Sequence, residues 1–157
     1  MIEFKRFNLE LYDKNKHYVL MRNLGRDEDV CRYVTKDLER WLDEMPDKKE
    51  KFVSYAIVRD NKYVGMVGTV DVDRNDVVEL WCAIKKDERH KKIASNILGE
   101  LLGYFGKDFS GIKLKINRSN IHSIKSALKN GFVLIDSDSI NKVDTYYYSN
   151  GIKNNKR

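Results

Sequence analysis

The sequence predicts an α/β (α+β) protein with a mixed, mainly antiparallel central sheet of about six to seven strands and about four helices. Residues 53–72 alternate apolar and polar side chains around a tight turn at residues 60–62, which indicates an antiparallel hairpin. Residues 77–84 are typical of a buried strand, and residues 93–105 carry apolar side chains at helical spacing. Residues 112–116 predict the next strand, and a strand-helix-strand crossover makes its two strands parallel.

The N-terminal third of the chain predicts one short strand and two helices. Residues 2–4 have strand character, and residues 9–22 have helical character. Residues 27–29 are all acidic, which suits the positive N-terminal end of a helix. An apolar stripe over residues 30–45 extends that second helix, and Pro46, the single proline, lies just beyond it.

The C-terminal part predicts one further helix and two closing strands. Residues 120–129 carry apolar side chains at helical spacing, and Gly131 suits the end of that helix. Residues 132–135 and 143–148 have strand character. The predicted order is therefore β-α-α-β-β-β-α-β-α-β-β.

Length and composition are typical of a single soluble domain. The chain has 157 residues, of which 41% are hydrophobic and 34% charged; domains commonly hold about 100–150 residues. We expect one domain over residues 1–150 and a polar tail at residues 151–157. No apolar run approaches the roughly 20 residues that span a bilayer, and the N-terminus has no signal-peptide pattern. Cys31 and Cys82 lack the spacing of a disulfide framework or a metal site, so we expect no metal and a cytoplasmic location.

A basic loop joins the strand at residues 77–84 to the helix that follows it. Arg89, His90, Lys91 and Lys92 stand where that helix begins. Unpaired backbone N–H groups and the positive end of a helix dipole favour an anion such as a pyrophosphate there; the alternative is a solvated basic loop. The net charge of +6 also favours anionic partners, and it motivates a less favoured hypothesis of a basic nucleic-acid-binding module.

Two motifs in this order resemble the GNAT superfamily of acyl-CoA-dependent N-acyltransferases. Residues 89–94 (RHKKIA) are similar to the family pattern Arg/Gln-x-x-Gly-x-Gly/Ala, which follows a strand end that reads WCAI in this chain. Asn120, Ser123, Gly131 and Phe132 match the spacing of the family's Asn-x-x-Ala helix that ends in Gly-Phe. The element order is similar to that of the family over nearly the whole chain.

The resemblance implies acetyl-CoA as cosubstrate, in a cleft where two parallel strands splay apart. The free edge of the strand at residues 77–84 would bind the pantetheine, and the loop after it would hold the pyrophosphate. The residues that the resemblance assigns to acetyl-CoA are Cys82, Ala83, Ile84, Arg89, His90, Lys91, Lys92, Ile93, Ala94, Ser95, Asn120 and Ser123.

The chain departs from the family pattern at two positions. Lys92 stands where the pyrophosphate loop has a glycine, whose missing Cβ lets the backbone approach a phosphate. A lysine ammonium would itself attract the phosphate. Ala127 stands where many members have a tyrosine that protonates the leaving thiolate. Tyr146, Tyr147 and Tyr148 are the alternatives, either as substitutes or as ordinary strand residues that pack the sheet.

Glu79 is the acidic residue within the strand that would lie beside the thioester. Attack needs a neutral amine, because an ammonium with a pKa of about 10.4 has no free lone pair, and a carboxylate can remove its proton. The glutamate of the histone-acetyltransferase branch would fall at Val78, and a step of one residue reverses the face of a strand. Glu79 is therefore either the base or a solvent-facing or paired strand residue, with Asp71 and Asp73 as alternative bases.

Cys82 and His122 are two further side chains with reactive chemistry. Cys82 has no histidine or aspartate partner in the sequence pattern, so we expect a small buried strand cysteine rather than a nucleophile. His122 lies at the start of the second motif helix, where it either contacts cofactor or acceptor or is a surface residue.

These observations favour an N-acetyltransferase that moves an acetyl group from acetyl-CoA to a primary amine of a small molecule or peptide by direct attack in a ternary complex. The enzyme would orient the amine and donate backbone N–H groups to the carbonyl oxygen. A non-catalytic acyl-CoA-binding or regulatory domain is the alternative, motivated by Ala127 and the register of Glu79. Membranes and nucleic acids are not expected partners, and the sequence leaves a homodimer open.

Overall fold

The structure, a computed structural model, describes residues 1–44, 53–89 and 93–149. Within these residues the chain forms eight strands and five α-helices, with a 3-10 turn at Lys86–Glu88. The strands are β1 (Ile2–Glu3), β2 (Asn8–Leu11), β3 (Ser54–Arg59), β4 (Lys62–Val72), β5 (Val77–Ile84), β6 (Gly111–Asn117), β7 (Val133–Asp138) and β8 (Val143–Ser149). The helices are α1 (Tyr18–Gly25), α2 (Glu28–Tyr33), α3 (Leu38–Glu44), α4 (Ile93–Phe105) and α5 (Ile121–Lys129).

The eight strands form one sheet in the order β1-β2-β3-β4-β5-β6-β8-β7. β1 with β2, β2 with β3, β3 with β4, β6 with β8 and β7 with β8 are antiparallel pairs. β5 and β6 are parallel, as the crossover through α4 requires. The predicted fold class, a mixed and mainly antiparallel sheet with helices in crossover connections, is confirmed.

The N-terminal third contains a strand that the sequence analysis missed. Residues 8–11 form β2 rather than the start of a helix, and the helix begins later, at Tyr18. Leu9 is fully buried and pairs with Ile57 of β3. The apolar spacing of this segment suits a helix or a strand, and the pairing of β2 between β1 and β3 decides for the strand.

The second predicted helix is two helices. α2 ends at Tyr33 and α3 begins at Leu38. The residues between them include the β-branched Val34 and Thr35, whose helix propensity is low. Asp37 then starts a new helix, because its carboxylate accepts a hydrogen bond from the Arg40 N–H at 3.2 Å. Met45 and Pro46, which the prediction used to end this element, lie outside the described residues.

The chain divides into two compact units. The first is drawn from Met1–Thr69 and Trp81–Ile93, and the second from Val70–Leu80 and Ala94–Arg157. The first unit contains buried apolar residues of α1, α3 and β2, and the second contains buried apolar residues of α4 and β6. Among the described residues, no helix has the length and apolar character to cross a membrane.

β4 and β5 approach each other closely at Gly65. A Cβ at this position would overlap the carbonyl oxygen of Ala83 and lie 3.1 Å from the Ile84 Cα. Both neighbours are backbone atoms, which cannot turn aside as a flexible side chain can. Gly65 is therefore required for the close packing of the last residues of β5.

A buried polar cluster joins β2 to the start of α1. His17 is 1% exposed, and its Nδ1 accepts a hydrogen bond from the Asp13 N–H at 2.9 Å. Because Nδ1 is an acceptor, the proton of the ring lies on Nε2, which donates to Glu10 Oε1 at 2.9 Å. The Tyr63 hydroxyl donates to the same oxygen, and the Lys16 ammonium lies 2.9 Å from it. These hydrogen bonds, with that from Lys16 the strongest, lower the pKa of Glu10 to about 2.

The Gly65→Ala variant should lose about 2 kcal/mol or more of unfolding free energy, because the added methyl meets backbone on β5. Gly103→Ala is the matched control, since a Cβ there would meet no described atom within 4 Å beyond its chain neighbours and the nearby backbone of its own helix. Its helical position should gain about 0.5–1 kcal/mol from the better propensity of alanine. Urea unfolding of both variants measures these changes, and equal stability of the two would contradict the packing argument.

The Glu10→Gln substitution should make the free energy of unfolding less dependent on pH in the acidic range. The pKa of Glu10 in the folded protein lies below its ordinary value of 4.5, so its ionised form stabilises the fold above about pH 4.5 and this effect is lost as the pH falls toward 2. We expect the variant to be less stable by on the order of 1–3 kcal/mol near neutral pH, with the gap closing between pH 4.5 and 2. Thermal unfolding across this range measures the gap.

Glu3→Gln is the control for this measurement, because it neutralises an exposed carboxylate on the neighbouring strand β1. It should stay within about 0.5 kcal/mol of the parent at neutral pH. A gap for Glu10→Gln that does not change with pH would show that the cluster acts through shape alone.

Candidate functional site

β5 continues beyond its ladder with β6. The parallel ladder runs from Val77 to Glu79, whereas β5 extends to Ile84. β4 is its neighbour on the other side. Residues 80–84 therefore lie outside the described ladder with β6, and a strand edge of this kind can bind an extended ligand through its N–H and C=O groups. The predicted cofactor residues on this stretch are Cys82, Ala83 and Ile84.

Cys82 is exposed, whereas Trp81, Ala83 and Ile84 beside it are buried. The expectation of a buried cysteine is therefore wrong: Cys82 is exposed, although the residues on both sides of it in β5 are buried. The protein atoms around this surface position still desolvate the thiol and raise its pKa to about 12. The thiol therefore stays protonated near neutral pH and is a poor nucleophile.

Arg89 braces the carboxyl end of β5. Its Nε donates to the Ile84 carbonyl oxygen at 2.9 Å, and its two terminal nitrogens contact Asp29 at 3.1 Å and Asp27 at 2.7 Å. Asp27 also caps α2, since its second oxygen accepts the Asp29 N–H. Desolvation would raise the pKa of Asp27, but the hydrogen bond from Arg89 overcomes this and lowers it. The Arg89 side chain thus binds protein partners through all three nitrogens, and its backbone is what it offers to a ligand.

α4 begins after the basic loop. His90, Lys91 and Lys92 lie outside the described residues. The described first turn of α4 contains no acidic residue, so no carboxylate in this turn neutralises the positive end of the helix dipole. Ile93 is buried, Ala94 is exposed and Ser95 is half-buried, so this turn is partly accessible. The first turn of α4 can therefore bind an anion through its backbone N–H groups.

Asn130 holds the first turn of α4 against the end of α5. Its Nδ2 donates to the carbonyl oxygens of Ser95 at 3.2 Å and Ser126 at 2.8 Å. A Cβ at Gly99 would lie 2.9 Å from the Asn130 Oδ1, so the glycine makes room for the amide. Gly131 has φ +88°, which confirms the predicted glycine at the helix end. The sequence places Asn130 at the end of the second motif helix but does not reveal this contact, because no local pattern links it to a serine 35 positions earlier.

The N-terminus of α5 is capped by Asn120. The Asn120 Oδ1 accepts a hydrogen bond from the Ser123 N–H at 3.4 Å. This hydrogen bond forms the cap and engages the side-chain oxygen of Asn120. Ser123 is half-buried, and His122 is exposed on the same turn. Ala127, one turn further, is fully buried. The position where the resemblance places a tyrosine therefore packs as core.

Glu79 is paired within the second unit. Its Oε1 lies 3.6 Å from the Lys115 Nζ, and its side chain is 12% exposed while that of the lysine is 53% exposed. Asp71 is exposed on β4. Burial would raise the pKa of Asp73, but hydrogen bonds from the N–H groups of Val77 and Asn75 lower it, so this carboxylate stabilises the turn before β5.

The three tyrosines of β8 pack against other residues. Tyr146 is 5% exposed, and its burial raises the pKa of the hydroxyl. The Tyr147 ring covers Gly111, where a Cβ would lie 2.6 Å from the ring. Tyr148 lies 5.6 Å from Phe132 between ring centroids. These contacts agree with the packing interpretation of the three side chains.

Comparison with known proteins addresses the family directly. The model of the acetyltransferase (GNAT) domain family matches residues 6–133, which is most of the chain. No curated protein sequence gives a significant match.

Solved structures share the fold. The chain is 13% identical to spermidine N-acetyltransferase from Vibrio cholerae in complex with CoA and spermine, with a TM-score of 0.79 over 94% of this chain and 98% of that chain. An apo RimL ribosomal alpha-N-protein acetyltransferase is 14% identical, with a TM-score of 0.81 over 96% of each chain. An aminoglycoside acetyltransferase in complex with coenzyme A is 13% identical, with a TM-score of 0.75 over 96% of this chain and 99% of that chain. The fold agrees with the family match, and the chain belongs to the GNAT family of acetyltransferases.

Proposed function

We propose that this acetyltransferase moves an acetyl group from acetyl-CoA to a primary amine by direct attack in a ternary complex. The observation that carries the proposal is the stretch of β5 at residues 80–84, which lies beyond the described ladder with β6. Pantetheine is an extended arm with two amides, and a strand edge binds such an arm through alternating N–H and C=O groups. The complexes of two structural neighbours with CoA support the choice of cosubstrate.

The cosubstrate would be held by two backbone elements in succession. The strand residues Cys82, Ala83 and Ile84 would bind the pantetheine through main-chain groups. The first turn of α4, with Ile93, Ala94 and Ser95, would bind the pyrophosphate. Arg89 would contribute through its backbone, and Asn120 and Ser123 would contribute from α5. The remaining proposed contacts are His90, Lys91 and Lys92, and these three lie outside the described residues.

Glu79 is the proposed base for the attacking amine. When bound, acetyl-CoA supplies an activated acetyl thioester. Glu79 would take a proton from the incoming ammonium, directly or through one water, so that the nitrogen lone pair forms the new bond to the carbonyl carbon as the carbon–sulfur bond breaks. Backbone N–H groups of β5 would donate to the carbonyl oxygen. After the attack the nitrogen still carries one proton too many. Ala127 has no proton to give, and the β8 tyrosines are packed, so this second proton would pass from the nitrogen through water to the leaving thiolate, which departs as a thiol.

The acceptor is proposed to be a small-molecule or peptide amine in the cytoplasm. The structural neighbours include enzymes named for spermidine, a ribosomal protein and an aminoglycoside, so the shared fold does not select one of these acceptors. Residues 1–150 would act as one catalytic domain; the tail at residues 151–157 lies outside the described residues. We further propose that the protein is a homodimer, with neither membrane nor nucleic acid as a partner.

The first test is coenzyme A release with a panel of primary amines. We expect turnover with at least one amine and intersecting initial-velocity lines, because both substrates must be bound before the acetyl group moves. Glu79→Gln should lower kcat by about 10²–10⁴-fold, with KM for acetyl-CoA little changed. Asp71→Asn is the matched variant that tests the alternative base.

Three outcomes would overturn parts of this proposal. Parallel initial-velocity lines would indicate an acetylated enzyme instead of direct attack. A larger loss in Asp71→Asn than in Glu79→Gln would move the base to Asp71. Tight binding of CoA without turnover on any amine would favour the non-catalytic acyl-CoA-binding alternative.

Asn130→Ala should weaken CoA binding, because the first turn of α4 loses its anchor on α5. The two lost hydrogen bonds predict an increase in Kd of about 5–30-fold by calorimetry. Asn141→Ala is the matched control, since it removes an exposed amide that donates to Asp138 in the β7–β8 turn. Its Kd should stay within about twofold of the parent. Equal affinities of the two variants would show that Asn130 serves the fold alone.

A further inference from the structure

We propose that the amine acceptor of this enzyme also carries an anionic group, a carboxylate or a phosphate, and that a charged groove in the first compact unit binds it. The groove has a volume of about 550 Å³, and sites for small molecules commonly hold about 300–1,000 Å³. It is lined by Asn23, Leu24, Asp27, Lys85, Lys86 and Asp87, which all belong to the first unit. This inference rests on the proposed function and names its substrate class.

The charged groove has two walls that backbone hydrogen bonds hold in place. One wall is the end of α1 with the residues that join it to α2, and the other is the turn that follows β5. On the first wall, the Asp27 N–H donates to the Leu24 carbonyl oxygen at 3.1 Å. On the second, the Lys85 N–H donates to the Val64 carbonyl oxygen at 2.8 Å. The lining side chains therefore start from fixed backbone positions.

Arg89 joins the two walls. Its Nε donates to the carbonyl oxygen of Ile84 at the end of β5 at 2.9 Å, and one terminal nitrogen donates to Asp27 at 2.7 Å. The side chains of Arg89 and Asp27 are only 20% and 9% exposed, so solvent screens this ion pair little. The groove is thus formed before a ligand enters, and a preformed site loses less free energy to ordering when it binds.

Most of the polar side chains in the groove are free to bind a ligand. Within residues 1–44, 53–89 and 93–149, no hydrogen bond or ion pair engages the side chains of Asn23, Lys85, Lys86 and Asp87. By contrast, a lysine such as Lys16 elsewhere in the same unit is paired with a carboxylate. The groove therefore offers a ligand two ammonium groups, one carboxylate and one amide.

This mixture of charges selects a ligand that carries both signs. Lys85 and Lys86 can bind a carboxylate or phosphate through charge-assisted hydrogen bonds. The Asp87 carboxylate can attract the ammonium form of the same molecule. A polyamine offers cations alone, and it would meet two unpaired ammonium groups, which like-charge repulsion disfavours. The acceptor that fits is an amine with a negative group on the same molecule.

The charged groove begins where the proposed pantetheine segment ends. Lys85 directly follows Ile84 in the chain, so a ligand in the groove lies next to the end of the strand that would hold the acetyl-bearing arm. The phosphates of CoA fit the groove less well, because the free Asp87 carboxylate would repel them. An amine with one negative group tolerates that carboxylate, since its own ammonium offsets the charge.

Coenzyme A release with charge-matched amines tests the substrate class. The panel compares L-lysine with L-lysinamide and cadaverine, which keep its carbon chain without a carboxylate, and phosphoethanolamine with ethanolamine. We expect kcat/KM to be at least about 10-fold higher for the anionic member of one set, and that set distinguishes a carboxylate from a phosphate. Equal or faster turnover of the members without a negative group would overturn the inference and leave the proposed function standing.

A double variant, Lys85→Gln with Lys86→Gln, tests whether the groove is the site. It should raise the KM for the anionic amine about 10–100-fold, and far more than the KM for the uncharged analogue or the Kd for CoA. Lys62→Gln is the matched control, because it removes an exposed lysine at the start of β4 in the same unit. Its constants should stay within about twofold of the parent, and circular dichroism should show that both variants are folded.

The remaining outcomes separate the inference from the reaction. A double variant that loses more affinity for CoA than for the amine would assign the groove to the cosubstrate. An unchanged KM for the anionic amine would place its negative group elsewhere, and both results would overturn the inference. If no amine is turned over, the proposed function fails, and calorimetry of the same amines on the CoA-loaded protein decides the inference. Preferential binding of the anionic members, lost in the double variant, would support it, whereas no binding would overturn it as well.

Discussion

β5 leaves its described ladder with β6 after Glu79, and the proposed binding of the cosubstrate depends on this constraint. Backbone N–H and C=O groups need partners, and a strand that outlasts its ladder offers a row of them to an extended ligand. The chain then leads from the end of β5 into the N-terminus of α4. A strand edge followed by a helix N-terminus suits a ligand with amides in one part and phosphates in another.

Two side chains, Arg89 and Asn130, hold backbone near this part of the chain. Arg89 ties the end of β5 at Ile84 to the two aspartates at the start of α2. Asn130 ties the first turn of α4 to the end of α5. Both side chains are engaged with protein groups, so both act by positioning backbone. Attraction of an anion would then come from the helix N-terminus and from the basic residues 90–92.

The chain relies on few ionisable groups for its proposed chemistry. Ala127 is buried, and the tyrosines of β8 pack the sheet. The pKa of the Cys82 thiol is raised to about 12, which disfavours a covalent route. What the chain retains is a carboxylate, Glu79, and a framework that orients two substrates. Orientation alone can supply a large share of a rate enhancement in acyl transfer.

The sequence by itself determined the elements whose patterns are local. Periodicity, capping and turn chemistry predicted β5, α4, β6, α5 and the glycine at position 131. The two sequence motifs by themselves indicated the family. The tertiary structure decided what depends on distant residues. β2 is a strand because β1 and β3 pair with it. Cys82 is exposed although its neighbours in β5 are buried, and the strand pattern does not reveal this. The Arg89–Asp27 and Asn130–Ser95 contacts join residues 62 and 35 positions apart. Periodicity describes which face of one element is apolar, whereas only packing determines which element that face or side chain meets.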